Sequence, residues 1–162
     1  MSVVAEHLRD RGVDFDVIPH DKAYTSIEEA QTLGIDADEV LKCIVLDTSS
    51  GHAMAVVPGG RRLDMSLVRL AVADNHARLA TEEEVERGFP DYELGALPPL
   101  ASLLRVPTLV DPEVMKHDTI VFAAGTQTES VRGQREVLFR GEEITIVPLI
   151  KALDEVDKEP PR

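Results

Sequence analysis

The sequence predicts one α/β domain, and three observations carry that expectation. At 162 residues the chain is long enough for a single domain with a sizeable hydrophobic core. Its apolar residues, 43% of the total, fall into helix-spaced stretches that alternate with short β-prone runs. The two strongest neighbouring runs, residues 41–46 and 54–57, flank the turn-forming residues 47–51 and read as a β-hairpin whose first strand is largely buried.

Each element follows from local pattern. Residues 2–11 place Val4, Leu8 and Arg11 at helical spacing ahead of Gly12, a good C-terminal cap. Residues 14–18 alternate polar and apolar as a half-buried strand ended by Pro19, and a polar loop follows from His20 to Tyr24. Thr25 and Glu28 form a capping-box pattern for a helix over 26–33, closed by Gly34, and 35–40 reads as a helical turn or loop. Beyond the hairpin, Leu67, Leu70, Ala71 and Asp74 space a helix over 66–75, and 78–80 forms a brief strand. Thr81 caps an acidic helix over 82–87, whose early carboxylates suit the positive end of its dipole, and Gly88 ends it. In residues 89–100, Pro90, Gly95, Pro98 and Pro99 exclude both helix and central strand, which leaves a loop.

The C-terminal third reads as strands with short connections. Residues 108–110 form a strand ending at Asp111 and Pro112, followed by a turn or short helix at 113–116. Residues 119–124 are the strongest strand after the hairpin, stopping at Gly125 and Thr126, and 128–132 return as another. Residues 135–140 fit helix or strand, 144–148 a final strand and 149–153 a helical turn. The domain is expected to occupy residues 1–153, with 154–162 a charged, mobile tail.

Composition excludes several classes. A formal charge of −13 opposes broad electrostatic binding to nucleic acid, so no DNA partner is expected and any nucleic-acid contact must be local. The single Cys43 rules out an internal disulfide and fits a small buried hydrophobe in a reducing compartment. No apolar stretch reads as a signal peptide or membrane span, so the expected location is the cytoplasm. No GxSxG, P-loop, GxGxxG, CxxC or HExxH occurs, and the five histidines show no paired ligand spacing. Neither a metal nor a cofactor is expected.

Lys42 is the residue to explain. In a strand, Lys42, Ile44 and Leu46 share one face while Cys43 and Val45 share the other, so an ammonium group points where its apolar neighbours point. Such a lysine either snorkels to water or meets an anion. Arg61, Arg62 and Arg69 follow nearby, which reads either as a local cationic site on an acidic body or as a chance grouping. Two further elements are candidates to converge with Lys42: the run Gly95, Ala96, Leu97, Pro98, Pro99, and the strand end Gly125, Thr126. A glycine followed by stiffening prolines is able to present fixed backbone donors to an ester carbonyl and its oxyanion. Read plainly, these are also a rigid connection and a strand-end turn.

Taken together the sequence resembles the YbaK and prolyl-tRNA synthetase-associated editing-domain family. The resemblance runs from about His20 to Val147. It rests on His20-Asp21 with residues 25–30, on Val40-Leu41-Lys42-Cys43-Ile44-Val45, on residues 55–59 leading to Arg62-Leu63-Asp64, on residues 95–99, on Val110-Asp111 and on Ala124-Gly125. It implies a compact domain whose mixed, curved β-sheet is surrounded by helices, and an aminoacyl-tRNA deacylase acting on mischarged tRNA, often proline tRNA carrying alanine or cysteine. Lys42 then engages the phosphate or adenosine of the tRNA 3′ end, and Gly95, Ala96, Leu97, Pro98 and Pro99 hold the aminoacyl ester. Gly125 and Thr126 line the pocket, with His20 and Thr25 near it. Residues 88–94 and 126–129 depart from the family's commoner pattern, at positions that shape the pocket wall. The partners implied are the aminoacyl-tRNA 3′ end and a synthetase, and the competing expectation is a noncatalytic aminoacyl- or nucleotide-binding module.

Overall fold

A computed structural model describes residues 2–153, so the expected tail over 154–162 lies outside the described residues. Helix α1 (Val3–Asp10) is capped by Ser2, whose side chain accepts from the Ala5 amide, and buries Val4, Ala5 and Leu8. Strand β1 (Asp16–Pro19) leads through the polar loop to α2 (Ser26–Leu33), which Thr25 caps and Gly34 ends in a left-handed conformation. After a 3₁₀ turn at Ala37–Glu39 come the hairpin strands β2 (Leu41–Thr48) and β3 (Gly51–Pro58). The turn is tighter than residues 47–51 implied. Asp47 pairs with His52 and Thr48 with Gly51, so the loop is Ser49 and Ser50, with the Ser49 amide bound to Asp74 at 2.7 Å.

Asp64 caps α3 (Met65–Val72), and Ala73 ends it with φ 53°. Strand β4 (Arg78–Leu79) precedes α4 (Glu82–Gly88), where Thr81 and Glu84 complete a capping box. Helix α5 (Ala101–Leu104), a single turn that follows the prolines after Leu100, was not expected from the sequence. Strand β5 (Thr108–Val110) and a 3₁₀ turn over Pro112–Lys116 are followed by β6 (Thr119–Ala123) and β7 (Glu129–Gln134). Residues 135–140 resolve as helix α6 (Arg135–Leu138), and β8 (Thr145–Ile146) is the last strand among the described residues. The helical turn expected over 149–153 does not form across that span. Its backbone is committed elsewhere: Leu149 donates to Asp111 Oδ2 at 2.8 Å, Ile150 bridges Leu63, and Lys151 donates to the Arg62 carbonyl at 2.9 Å.

The strands form a mixed, open arrangement in two hydrogen-bonded parts. Five strands run in the order β4-β2-β3-β5-β8, antiparallel across the hairpin and parallel beyond it, and three antiparallel strands run β1-β7-β6. A parallel bridge between Val40 and Val121 joins the two parts where β2 begins. Alternation divides the core accordingly. Val45, Met54 and Val56 pack with Ile120, Phe122 and Val131, whereas Leu46, Ala55 and Val57 pack with Val68 and Leu149. Each fully buried Val, Leu, Ile, Met or Phe among them contributes about 1.5–3 kcal/mol relative to exposure. Apolar contacts on both faces hold the hairpin rigid, and a rigid hairpin is what positions the site.

Candidate functional site

Three connections meet over one face of β2. They are the loop from His20 to Thr25, the proline-rich segment 89–100, and the turn between β6 and β7. Between them lies a cleft of about 560 Å³ with Cys43 and Val45 on its floor. Tyr24, Thr25, Gly95, Leu97 and Gln127 form its walls, and Ala80 with Glu82 and Val85 closes the α4 side.

Gly95 permits this closure. It has φ 75°, and a Cβ there would run into the carbonyl oxygen of Tyr24. Only a glycine lets the segment lie this close to the Tyr24 backbone. The turn is then tied to the β6 end. Gly125 donates to the Ala96 carbonyl and Glu93 to the Gly125 carbonyl, each at 2.9 Å. Gln127 adds two bonds, its amide donating to Glu93 Oε1 at 3.0 Å and its Nε2 to the Leu94 carbonyl at 2.9 Å. Ala96, Leu97, Pro98 and Pro99 are buried behind Gly95, so the prolines brace the turn from within.

The structure thus brings together Thr25, Gly95, Leu97 and the neighbourhood of Gly125. Gly125 positions the turn through its backbone. Thr126 turns its Oγ1 to a buried place without a hydrogen-bond partner, and the next residue, Gln127, is the one in the lining. Lys42 is not in the lining. It lies on the opposite face of β2 from Cys43, and its Nζ donates to the Arg61 carbonyl at 2.9 Å. Burial first, and then the charge of Arg62, lowers its affinity for a proton below that of an ordinary lysine. Arg61 in turn donates to the Lys151 carbonyl at 2.9 Å. The cations therefore gather beside the start of β2, next to the turn that follows β3.

His20 stands behind the cleft wall. Its Nδ1 lies 2.7 Å from the Asp21 carbonyl and its Nε2 2.8 Å from Ser130 Oγ, and Ser130 is bound to the carboxyl group of Glu29. Burial pushes Glu29 above the ordinary carboxyl range, against the lowering effects of the Ser130 bond and of His20. Burial, and then the charge of Glu29, also holds the Cys43 thiol in its protonated form. Cys43 therefore offers the cleft a small apolar surface and no thiolate. Glu82 is the one charged residue among the described lining. The cleft is apolar and neutral within, with a carboxylate at its rim.

A larger concavity of about 810 Å³ lies between α5 and the residues before β8. Ser102, His7 and Glu142 meet there, but the serine hydroxyl donates to Glu142 while His7 Nε2 sits 2.8 Å from the same oxygen. A serine that gives its proton to a carboxylate is not activated by the imidazole, and Arg11 completes a clamp by pairing with Glu142 at 2.9 Å. Among the described residues no cluster of three or more His, Cys, Asp or Glu is placed to hold a metal ion, and no helix is long and apolar enough to cross a membrane.

Sequence reasoning missed Glu29, Glu82, Glu93, Gln127 and Ser130, and treated Cys43 as buried structure alone. Glu93 and Gln127 each lie two positions from a glycine with positive φ, a place where a polar side chain is able to tie a turn.

Residues 20–140 match the family model described as the aminoacyl-tRNA editing domain. The chain is 25% identical over 97 residues to the Enterococcus faecalis protein called "Putative Cys-tRNA(Pro)/Cys-tRNA(Cys) deacylase EbsC". That similarity spans 59% of this chain and 58% of the relative's length. Among solved structures, the hypothetical protein APE2540 superposes with TM-score 0.82 at 21% identity, covering 91% of this chain and 99% of its own. The structure described as "a putative trans-editing enzyme for prolyl tRNA synthetase" superposes with TM-score 0.76 at 22% identity, covering 92% of this chain and 93% of its own. Both likenesses are in fold.

Proposed function

Because this chain belongs to the aminoacyl-tRNA editing domain family, we propose that it is a freestanding deacylase that hydrolyses the ester of mischarged tRNA, with proline tRNA carrying cysteine or alanine as its substrate. One observation carries this reading: every residue lining the cleft under Gly95 falls inside the matched segment 20–140, whereas the larger concavity extends beyond it. The cleft suits a small uncharged side chain on its apolar floor, and Glu82 at the rim suits the α-ammonium group of an aminoacyl ester.

A cleft whose only charge among the described residues is negative repels phosphates, so the acceptor phosphates lie outside it. Lys42 takes the 3′-terminal phosphate or adenosine from the other side of the strand, beside Arg62. The backbone amides of Gly95 and Leu97 polarise the ester carbonyl and hold the oxyanion as water attacks, because the Ala96 amide is already bonded to the Glu93 carbonyl at 3.1 Å. Among the described residues no imidazole or thiolate lines the cleft, so catalysis rests on positioning and backbone electrostatics. That same absence favours a second reading, a noncatalytic module that holds an aminoacyl or nucleotide end, alone or beside a synthetase.

Purified protein incubated with proline tRNA charged with cysteine, alanine, serine or proline separates the two. Ester loss above buffer for cysteine or alanine, weakened through a higher KM in Lys42→Ala with the fold intact, supports the deacylase. Binding without ester loss across the panel sinks it in favour of the module.

A further inference from the structure

Glu29, Ser130 and His20 join three separate pieces of the fold: α2, β7 and the loop after β1. Glu29 is 4% exposed and Ser130 fully buried, so bulk solvent hardly reaches them and their bonding is to one another and to His20. The donor count constrains the group. A carbonyl oxygen only accepts, so the contact with Asp21 makes His20 Nδ1 a donor in every state. Ser130 has one proton for two partners, Glu29 and His20 Nε2.

Two proton arrangements satisfy every bond. In one, Glu29 is ionised, Ser130 donates to it, and an imidazolium His20 donates through Nε2 to Ser130 Oγ. In the other, protonated Glu29 donates to Ser130, which donates to Nε2 of neutral His20. Both hold the same total, one proton shared between Glu29 and His20. Removing it leaves two acceptors competing for one hydroxyl, and adding a second leaves the buried hydroxyl proton without an acceptor.

We infer that Glu29 and Ser130 are positioning residues of the cleft, forming with His20 a buried one-proton chain that fixes the loop from His20 to Thr25 as its wall. The loop is fastened along its length. His20 donates to the Thr128 carbonyl at 2.9 Å and Ala23 to the Gln127 carbonyl at 2.8 Å, and the Tyr24 carbonyl abuts Gly95. The chain supplies the side-chain anchor at the loop's start. The titratable groups facing Glu29 are His20 and, across the cleft floor, Cys43, while His20 also lies beside Asp21. Lys22 is engaged over the Tyr24 ring at 5.3 Å.

The variants differ in donor count. Glu29→Gln places an amide donor against Ser130 and reproduces the second arrangement with no proton to lose. Glu29→Ala and Ser130→Ala break the chain. The first readout is the ¹⁵N NMR of the His20 ring as a function of pH, which needs no substrate. In Glu29→Gln the His20 ring is expected to carry its proton on Nδ1 with Nε2 accepting from Ser130, and in Ser130→Ala the Nε2 signal is expected to shift as that bond is lost. Identical His20 ring spectra in all three proteins overturn the inference.

The second readout rests on the deacylase reading. Turnover is expected to survive in Glu29→Gln and to extend to higher pH than in the wild type. Glu29→Ala and Ser130→Ala are expected to lose about tenfold to a hundredfold in kcat, the scale of a wall displaced by about an ångström. Equal loss in Glu29→Gln and Glu29→Ala, with both folded by circular dichroism, also overturns it. If wild type shows no turnover, that reading fails while the His20 spectra still decide the chain.

Discussion

Lys42 and Cys43 are neighbours in sequence and face opposite sides of β2. Cys43 lies on the floor of the cleft, while the Lys42 ammonium is bound to the Arg61 carbonyl at 2.9 Å beyond the other face. The strand therefore separates an apolar cleft from a cationic patch.

That separation has a kinetic signature. Lys42→Met keeps the aliphatic stem and removes the charge, and is expected to raise KM for aminoacyl-tRNA by about tenfold, the scale of one bond to a charged group. On an aminoacyl nucleoside without phosphate it is expected to do little. Cys43→Leu fills the floor and is expected to impair both substrates. Equal impairment of both by Lys42→Met would place the lysine in the chemistry instead.

Gly95→Ala is expected to be more damaging than Gly125→Ala. Both glycines have positive φ, but the new methyl at 95 meets the rigid Tyr24 backbone, while at 125 it meets side-chain atoms of Tyr92 and Val4 at 3.3 Å. The left-handed conformation alone costs roughly 1–2 kcal/mol in each, and at 95 the wall must also move. Urea unfolding together with turnover tests this ordering.

Glu29 makes stability depend on pH. Its carboxyl is held above the ordinary value of 4.5, chiefly by burial, so the folded chain binds this proton more tightly than the unfolded one. The stabilisation is fully present below 4.5 and is lost as pH rises through the folded value. Glu29→Gln keeps its donor throughout. Its stability relative to wild type is expected to increase from acid toward alkaline pH, by about 1–3 kcal/mol in total. A gap that does not change with pH in urea unfolding would rule out the linkage.

Glu84 has the opposite sign. The Arg78 guanidinium, and then the Thr81 amide, hold its carboxyl at about 2, below the ordinary 4.5. Its contribution is present above 4.5 and lost as pH falls toward 2. Glu84→Gln is expected to lower the unfolding midpoint at neutral pH, with the difference shrinking on acidification.

Asp111 ties the C-terminal segment down. It is 2% exposed, its Oδ1 accepting from Glu113 and its Oδ2 from Leu149, both at 2.8 Å. Asp111→Ala leaves the buried Leu149 amide without a partner and is expected to cost about 2–4 kcal/mol, with faster hydrogen exchange at Leu149 and Lys151. Unchanged exchange there would show that the segment is held by its packing.

The sequence made the helices legible wherever a cap was written into it, as at Thr25 with Gly34 and at Thr81 with Glu84. The two faces of β2 were legible from alternation, and Gly95 from its setting among prolines. The helix α5 was hidden because its four residues carry no period. The extended run through Leu149 and Ile150 was hidden because its hydrogen bonds are made to Asp111 and Arg62, which only the fold brings near. The Glu29–Ser130 contact was unreadable for the same reason. Glu29 looked like one of two carboxylates on a short helix, and nothing local marks it as buried.

Strand β1 closes on β7, with Asp16 opposite Arg132 and Pro19 opposite Glu129, so residues 20–128 lie between the partners. A ribosome delivers the N-terminal strand long before the strand it needs. The cleft wall at Tyr24, fastened through Gln127 and Thr128, cannot assemble on a nascent chain until synthesis has passed β7. Long-range pairing of this kind slows folding and leaves edges exposed meanwhile. A nascent chain is thus without its cleft until β7 has been made.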